Sequence, residues 1–148
     1  MNLERLEAQL AIDEGKRLAA YLDTVGVLTV GIGHNCVALP VTGVTKPGDT
    51  ITDETCSELF RDDIQESIDQ LDKHLLWWRN LDDVRQNVLA NMTFNMGINT
   101  LLQFRNTLKF IESGAYAFAA DGMANSLWAK QVGDRSKRLC AQMRTGEW

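Results

Sequence analysis

The chain has 148 residues, 45% of them hydrophobic, and a formal net charge of -5. That size makes one domain with room for two lobes, and the apolar content excludes a disordered chain. The apolar runs are short and broken by charges, which excludes a membrane-spanning segment and stable membrane insertion.

Charge is uneven. Residues 1–97 carry 8 Lys/Arg against 16 Asp/Glu, whereas residues 98–148 carry 7 against 4. The basic excess gathers at Lys130, Arg135, Lys137, Arg138 and Arg144. It reads either as a solvated helix face or as a rim for an anionic polymer. The acidic balance and the lack of a recognisable motif argue against nucleic acid as the polymer. The start, Met1-Asn2-Leu3-Glu4-Arg5-Leu6-Glu7, lacks the basic opening and apolar stretch of a signal peptide, so folding in a cytoplasm is the expectation. Cys36, Cys56 and Cys140 are an odd, widely spaced set that reads as plain thiols. With only His34 and His74, and neither a HExxH nor a CxxC pattern, no metal or other cofactor is expected.

In chain order, Leu3, Leu6, Leu10 and Ile12 mark an amphipathic helix that ends near Glu14 at Gly15. From about Leu18 to Asp49, β-branched residues and glycines alternate, and both prolines fall here, which predicts a small antiparallel sheet with long turns. Thr52 reads as an N-cap with Asp53 and Glu54 in the first turn. Cys56, Leu59, Phe60, Ile64, Ile68 and Leu71 then give a long helical stripe, a strut between two lobes. Asp82 caps a further helix whose residues Val84, Val88, Leu89, Ala90, Met92, Phe94 and Met96 are apolar nearly all round, so it should be buried until it stops at Gly97. Gly114 separates a helix around 107–113 from one beginning near Ala115, and a last helix covers about 135–143 before Gly146. The fold class is α+β, mainly α.

The chemistry concentrates in one short stretch. Glu14 sits at a helix end, Asp23 follows nine residues later in a turn, and Thr29 six residues after that in a β-rich segment. Gly31-Ile32-Gly33-His34 comes next. Two carboxylates that flank one bond are what acid/base hydrolysis of a glycoside requires. A carboxyl that donates a proton near neutral pH needs apolar walls, which Leu10, Ala11 and Ile12 offer Glu14. On composition alone each residue has a plainer reading: Glu14 as a helix-end acid, Asp23 as turn chemistry, Thr29 as strand filler.

These residues at these spacings resemble the catalytic segment of the phage-type lysozymes, glycoside hydrolase family 24. Arg144-Thr145-Gly146-Glu147-Trp148 resembles the family's closing motif, so the likeness spans nearly the whole chain. The resemblance implies one lysozyme-like domain: a small β-containing lobe at 13–50, a connecting helix at 51–72, and a helical lobe of 1–12 and 73–148. It implies Glu14 as proton donor, Asp23 as the ionised second carboxylate and Thr29 as the holder of a water. It makes His34 and Asp63 a structural pair, and Asn35, Phe94, Asn95, Phe104, Thr107 and Arg135 substrate-binding residues. Gly122 stands where the family has a saccharide-contacting asparagine, so that role is not carried over. The stretch from Asn35 to Ile51 is shorter than in the T-even phage lysozyme, which reduces the outer loop of the β lobe.

The implied activity is that of an endolysin. It hydrolyses the β-1,4 bond between N-acetylmuramic acid and N-acetylglucosamine in peptidoglycan and so lyses a host cell. Its partner is the glycan strand, it is expected to be a monomer, and it waits in the host bacterial cytoplasm until a separate holin-like protein releases it to the wall. Alternatives are a lytic transglycosylase or chitinase-like glycosidase, and an inactive peptidoglycan-binding protein. Asp23 with Thr29 disfavours the transglycosylase, and the presence of both carboxylates disfavours the inactive protein. Thr29 beside Asp23 also suggests an inverting enzyme, whose carboxyls stand roughly 6.5–9.5 Å apart to admit a water.

Overall fold

The computed structural model describes residues 1–148. It contains eight α-helices and one three-stranded antiparallel sheet. The elements are α1 (Leu3–Glu14), β1 (Arg17–Leu22), β2 (Leu28–Gly31), β3 (His34–Asn35), α2 (Asp53–His74), α3 (Asp83–Met96), α4 (Ile98–Leu101), α5 (Arg105–Glu112), α6 (Tyr116–Ala124), α7 (Leu127–Val132) and α8 (Asp134–Thr145). The fold is therefore α+β and mainly α. No helix is long and apolar enough to cross a membrane. The chain forms two compact units, one of residues 7–66 and one of residues 1–6 with 67–148.

The unit of residues 7–66 is built round the sheet, in the order β1-β2-β3. Tyr21 pairs with Thr29 and Val30 with His34. The outer edge of β1 is not left bare. Ala20 N–H donates to the Asp49 carbonyl (2.7 Å), Gly48 N–H to that of Ala20 (2.8 Å) and Ile51 N–H to that of Leu18 (2.9 Å). Covering the edge removes a template for strand addition. Ala20, Val30, Cys36 and Val44 form the core, with Leu28, Val41, Ile51 and Leu59 packed on it. Thr52 caps α2 by accepting the Thr55 N–H at 3.1 Å.

The other unit is organised on α3. Asp82 caps it by accepting the Arg85 N–H, and Val84 and every residue from Gln86 to Thr93 are buried. Gly97, at φ 80°, ends it. α8 packs against α3, α6 and α7, and α5 against α6. Trp78, Leu101, Ile111, Met123, Leu139 and Met143 fill the centre. The buried Trp78 indole donates to Asp72 Oδ1 at 2.7 Å, and Arg79 forks onto both Asp72 oxygens at 2.8 and 2.9 Å. Asn2 and Asn87 exchange two hydrogen bonds that tie the first turn to α3.

Arg85 explains the closing Arg-Thr-Gly sequence. Its guanidinium donates to Asp82 Oδ2, to the Met143 carbonyl and to the Arg144 carbonyl, and lies 3.5 Å from the Tyr116 ring centroid. It thereby satisfies carbonyls left open at the end of α8. Gly146, left-handed at φ 71°, cannot carry a side chain, since a Cβ would meet Arg85 Nη1 at 2.7 Å.

Several expectations change. Leu6 and Leu10 are buried, but Leu3 and Ile12 are 46% and 77% exposed. Ile12 lies two residues, more than half a turn, from Leu10, so one helix face cannot hold both. Ile12 is therefore no wall for Glu14. The two short helices α4 and α7 were not legible as separate elements. Of the basic group of the C-terminal third, Arg135 is buried, Lys137 pairs with Asp134 and Arg144 with Asp121, whereas Lys130 is exposed. The three cysteines are free thiols.

Removing a charged donor that serves three acceptors at once is costly, whereas exposed ion pairs contribute little. Arg85→Leu should lower unfolding free energy by about 2–4 kcal/mol in urea titration. Lys137→Ala, which breaks a fully solvated pair with Asp134, should shift it by less than about 0.5 kcal/mol.

Candidate active site

Glu14 is the last residue of α1 and is half-buried. Gly15 closes the helix, its N–H donating to the Ala11 carbonyl at 3.0 Å with φ at 70°. The Glu14 carboxyl lies flush against the turn between β2 and β3. A Cβ on Gly33 would meet Glu14 Oε2 at 2.9 Å and both Cδ and Cγ at 3.0 Å. Gly33 also has φ 69°, a conformation L side chains rarely adopt. Two independent constraints thus require glycine here, and one of them is the Glu14 carboxyl.

Asp23 follows β1 and organises its own loop. Its Oδ1 accepts the N–H groups of Val25 (2.9 Å) and Val27 (2.8 Å), and its N–H donates to the Val27 carbonyl. This is the Asx geometry that makes aspartate common in turns. The second oxygen, Oδ2, accepts no hydrogen bond from the protein. Thr29, in β2, is 6% exposed, and its hydroxyl donates to the Val27 carbonyl at 2.9 Å. A hydroxyl has one proton, so Thr29 Oγ1 faces any water as an acceptor. The loop of residues 23–27 therefore binds both side chains through the backbone of Val27.

His34 is buried, 3% exposed, with an acceptor at each ring nitrogen. Nδ1 is 2.7 Å from Asp63 Oδ2 and Nε2 is 2.8 Å from the Leu39 carbonyl. Neither acceptor carries a proton of its own when Asp63 is ionised, so both bonds form fully only in the imidazolium. The Asp63 hydrogen bond accordingly holds the imidazole above its ordinary pKa; burial opposes this, and the Leu39 carbonyl supports it. Both ring nitrogens are occupied, which suits a clamp and not a proton shuttle.

The remaining residues singled out in the sequence fall into two groups. Asn35 is exposed in β3, and its Oδ1 accepts the N–H groups of Val37 and Ala38, each at 2.9 Å. Phe94, Asn95, Phe104, Thr107 and Arg135 lie in the helical unit. Asn95 Oδ1 accepts the Trp128 indole N–H at 2.8 Å, and Phe104 meets the Trp128 ring edge-on at 6.5 Å. Phe94 is half-buried at the end of α3. Arg135 is buried and donates to Asn91 Oδ1 at 2.9 Å. Thr107 is 6% exposed beneath α6, where a Cβ on Gly122 would lie 2.5 Å from its Oγ1. The sequence reading missed the close approach of Gly33 to Glu14 and the Trp128–Asn95 bond. A second glycine two residues after the first was the available signal for a close backbone approach. No signal announced the indole partner.

The family model for phage lysozyme matches residues 11–145 of this chain. The chain belongs to the phage lysozyme family. It is 34% identical to "Probable T4-type lysozyme 1" of Dictyostelium discoideum over 160 residues, covering 95% of this chain and 94% of that protein. It is 32% identical to the "Endolysin" of Salmonella phage P22, covering 82% and 79%. It is also 33% identical to the "Pre-baseplate central spike protein Gp5" of Enterobacteria phage T4, covering 90% of this chain and 26% of that protein. This lysozyme is a peptidoglycan-cleaving glycosidase.

Two outcomes follow from the geometry. Gly33→Ala must displace the Glu14 carboxyl and, if that carboxyl serves catalysis, should lose most of its turnover, while Gly43→Ala should stay active. Gly43 has φ 82° and no atom within 4 Å of a Cβ, so it carries the backbone strain without the displacement. Activity assays beside thermal melts separate the two effects. The second outcome concerns pH. His34 has a raised folded pKa, so its contribution is complete below the unfolded value of 6.5 and is lost as pH rises through the folded value. Asp63→Asn should therefore lower Tm most in mildly acidic solution, and the gap to wild type should narrow at alkaline pH.

Proposed function

We propose that Glu14, Asp23 and Thr29 are the catalytic residues, and that the bond cleaved is the β-1,4 link between N-acetylmuramic acid and N-acetylglucosamine. The observation that carries this reading is complementary commitment. Asp23 Oδ1 and the Thr29 proton are bound to backbone, which leaves Asp23 Oδ2 and a Thr29 lone pair as two acceptors. A water that donates one proton to each has its own lone pair free to attack.

Glu14 donates its proton to the glycosidic oxygen as the bond to the sugar carbon breaks. The water adds to that carbon from the opposite face, and its proton passes to Asp23. One water is consumed, both carboxyls return to their starting forms after proton exchange, and the new sugar end is α-configured. Gly33 fixes where the donor proton sits, which is the positional accuracy such a transfer needs.

Among the sugar contacts, Asn95 has the clearest chemistry. An indole is a donor only, so Trp128 fixes Asn95 Oδ1 inward and leaves its NH₂ as a donor for an acetamido carbonyl. Asn35 is constrained in the same sense. Phe94 and Phe104 offer apolar surface. The burial of Thr107 and Arg135 favours packing roles for both, with at most the Thr107 hydroxyl at a sugar. In its biology the enzyme acts as an endolysin. It is held in the host cytoplasm, reaches the wall after a separate holin-like protein permeabilises the membrane, and works as a monomer on glycan strands.

Glu14→Gln keeps the shape and removes the donated proton. General acid catalysis is worth about 10²–10⁴ in rate, and lysis of permeabilised cells should fall by that much without loss of fold. A folded variant with near-normal lysis would remove Glu14 from the mechanism. In wild type, NMR of the first-formed reducing end should show the α-anomer; a β-anomer would recast Asp23 as a nucleophile.

A further inference from the structure

Tyr21 stands in the same stretch as the carboxylates and has no part in the mechanism above. Four observations single it out. It is directly opposite Thr29 in the β1–β2 ladder, and directly opposed residues project from the same face of a sheet. Its ring is fixed from one side by the Arg17 guanidinium, 4.0 Å from the ring centroid. The ladder register shifts between Arg17 and Tyr21, an irregularity of the kind that re-aims a side chain. Its phenol oxygen has no hydrogen-bond partner in the protein, although the residue is half-buried. A tyrosine that only filled space would not need an aligned cation on its face, and a partly buried phenol usually finds a partner.

We infer that Tyr21 is a further substrate-contacting residue of the active site, its phenol O–H hydrogen-bonding the sugar at the cleaved bond while Arg17 holds the ring in place. The inference rests on the assignment of Glu14, Asp23 and Thr29 as the catalytic set. The electrostatics agree with the placement. Burial pushes the Tyr21 hydroxyl above its usual pKa, and the nearby charges of Glu14 and Asp23 push the same way, against the opposing pull of Arg17. The phenol thus remains a neutral donor across the pH range in which a carboxylic acid can act. Arg17 acts only through the ring and is a positioning residue. Its stack orders a side chain that would otherwise lose rotamer freedom when substrate binds.

The test is Tyr21→Phe, assayed on purified peptidoglycan beside Glu14→Gln. Phenylalanine keeps the ring, the stack and the packing and deletes only the hydroxyl. Loss of one neutral hydrogen bond predicts a drop in kcat/KM of about five- to tenfold with an unchanged Tm. Unchanged kcat/KM in Tyr21→Phe, with Glu14→Gln inactive, overturns the inference and leaves the catalytic assignment standing. A Glu14→Gln variant that retains activity instead overturns the catalytic assignment and this inference with it. Arg17→Leu supplies the second arm. It should lower kcat/KM in the wild-type background and have little further effect in Tyr21→Phe, because it acts through the hydroxyl that is gone. Losses that simply add in the double variant would overturn the positioning role.

Discussion

The sheet-bearing unit depends on a buried histidine with an acceptor at each ring nitrogen. His34 reaches from β3 to Asp63 on α2 and to the carbonyl of Leu39, so one side chain fixes a strand, a helix and a turn. Burying a charge is expensive unless it is paired and its donors are satisfied, and both conditions hold here. Such a pair is weak as a source of net stability. Its value is that few other arrangements of these segments satisfy it. The adjoining Gly33 shares the turn, so the fixed histidine also fixes the surface against which Glu14 lies.

The candidate site side chains are each half committed within their own unit. In the sheet-bearing unit Asp23 and Asn35 bind their own loops through one oxygen and Thr29 gives its proton to a carbonyl; in the helical unit Asn95 accepts an indole N–H. A group held by one atom cannot reorient freely, so its other atom points in a defined direction before substrate arrives. Preorganisation of this kind lowers the cost of reaching the transition state, since the protein has little left to rearrange. It also explains why ordinary turn residues, which on composition alone would mean nothing, serve the site.

The elements set by local rules were legible from sequence. Thr52 and Asp82 cap the helices they were expected to cap, the all-round apolar α3 is buried, and glycines end helices at Gly97 and Gly146. The spacing of Glu14, Asp23, Thr29 and His34 carried the family by itself. What failed was periodicity over a short range. Ile12 looked like part of an apolar stripe because a twelve-residue helix offers too few turns to define a face. Arg135 looked like surface charge because its buried partner, Asn91, lies 44 residues away. Contacts of that separation leave no mark in a local window, and the Trp128–Asn95 bond is another of the same kind.

The contact between Gly122 and Thr107 has a consequence for how this sequence can change. Glycine inside a helix ordinarily costs about 0.5–1 kcal/mol relative to alanine, so Gly122→Ala would be chosen by anyone seeking a sturdier enzyme. Here the added carbon would lie 2.5 Å from a threonine hydroxyl in a packed interior. The two positions are therefore epistatic: a side chain at 122 is acceptable only after residue 107 has shrunk or turned away. Any route to a side chain at 122 therefore passes through a particular order of substitutions.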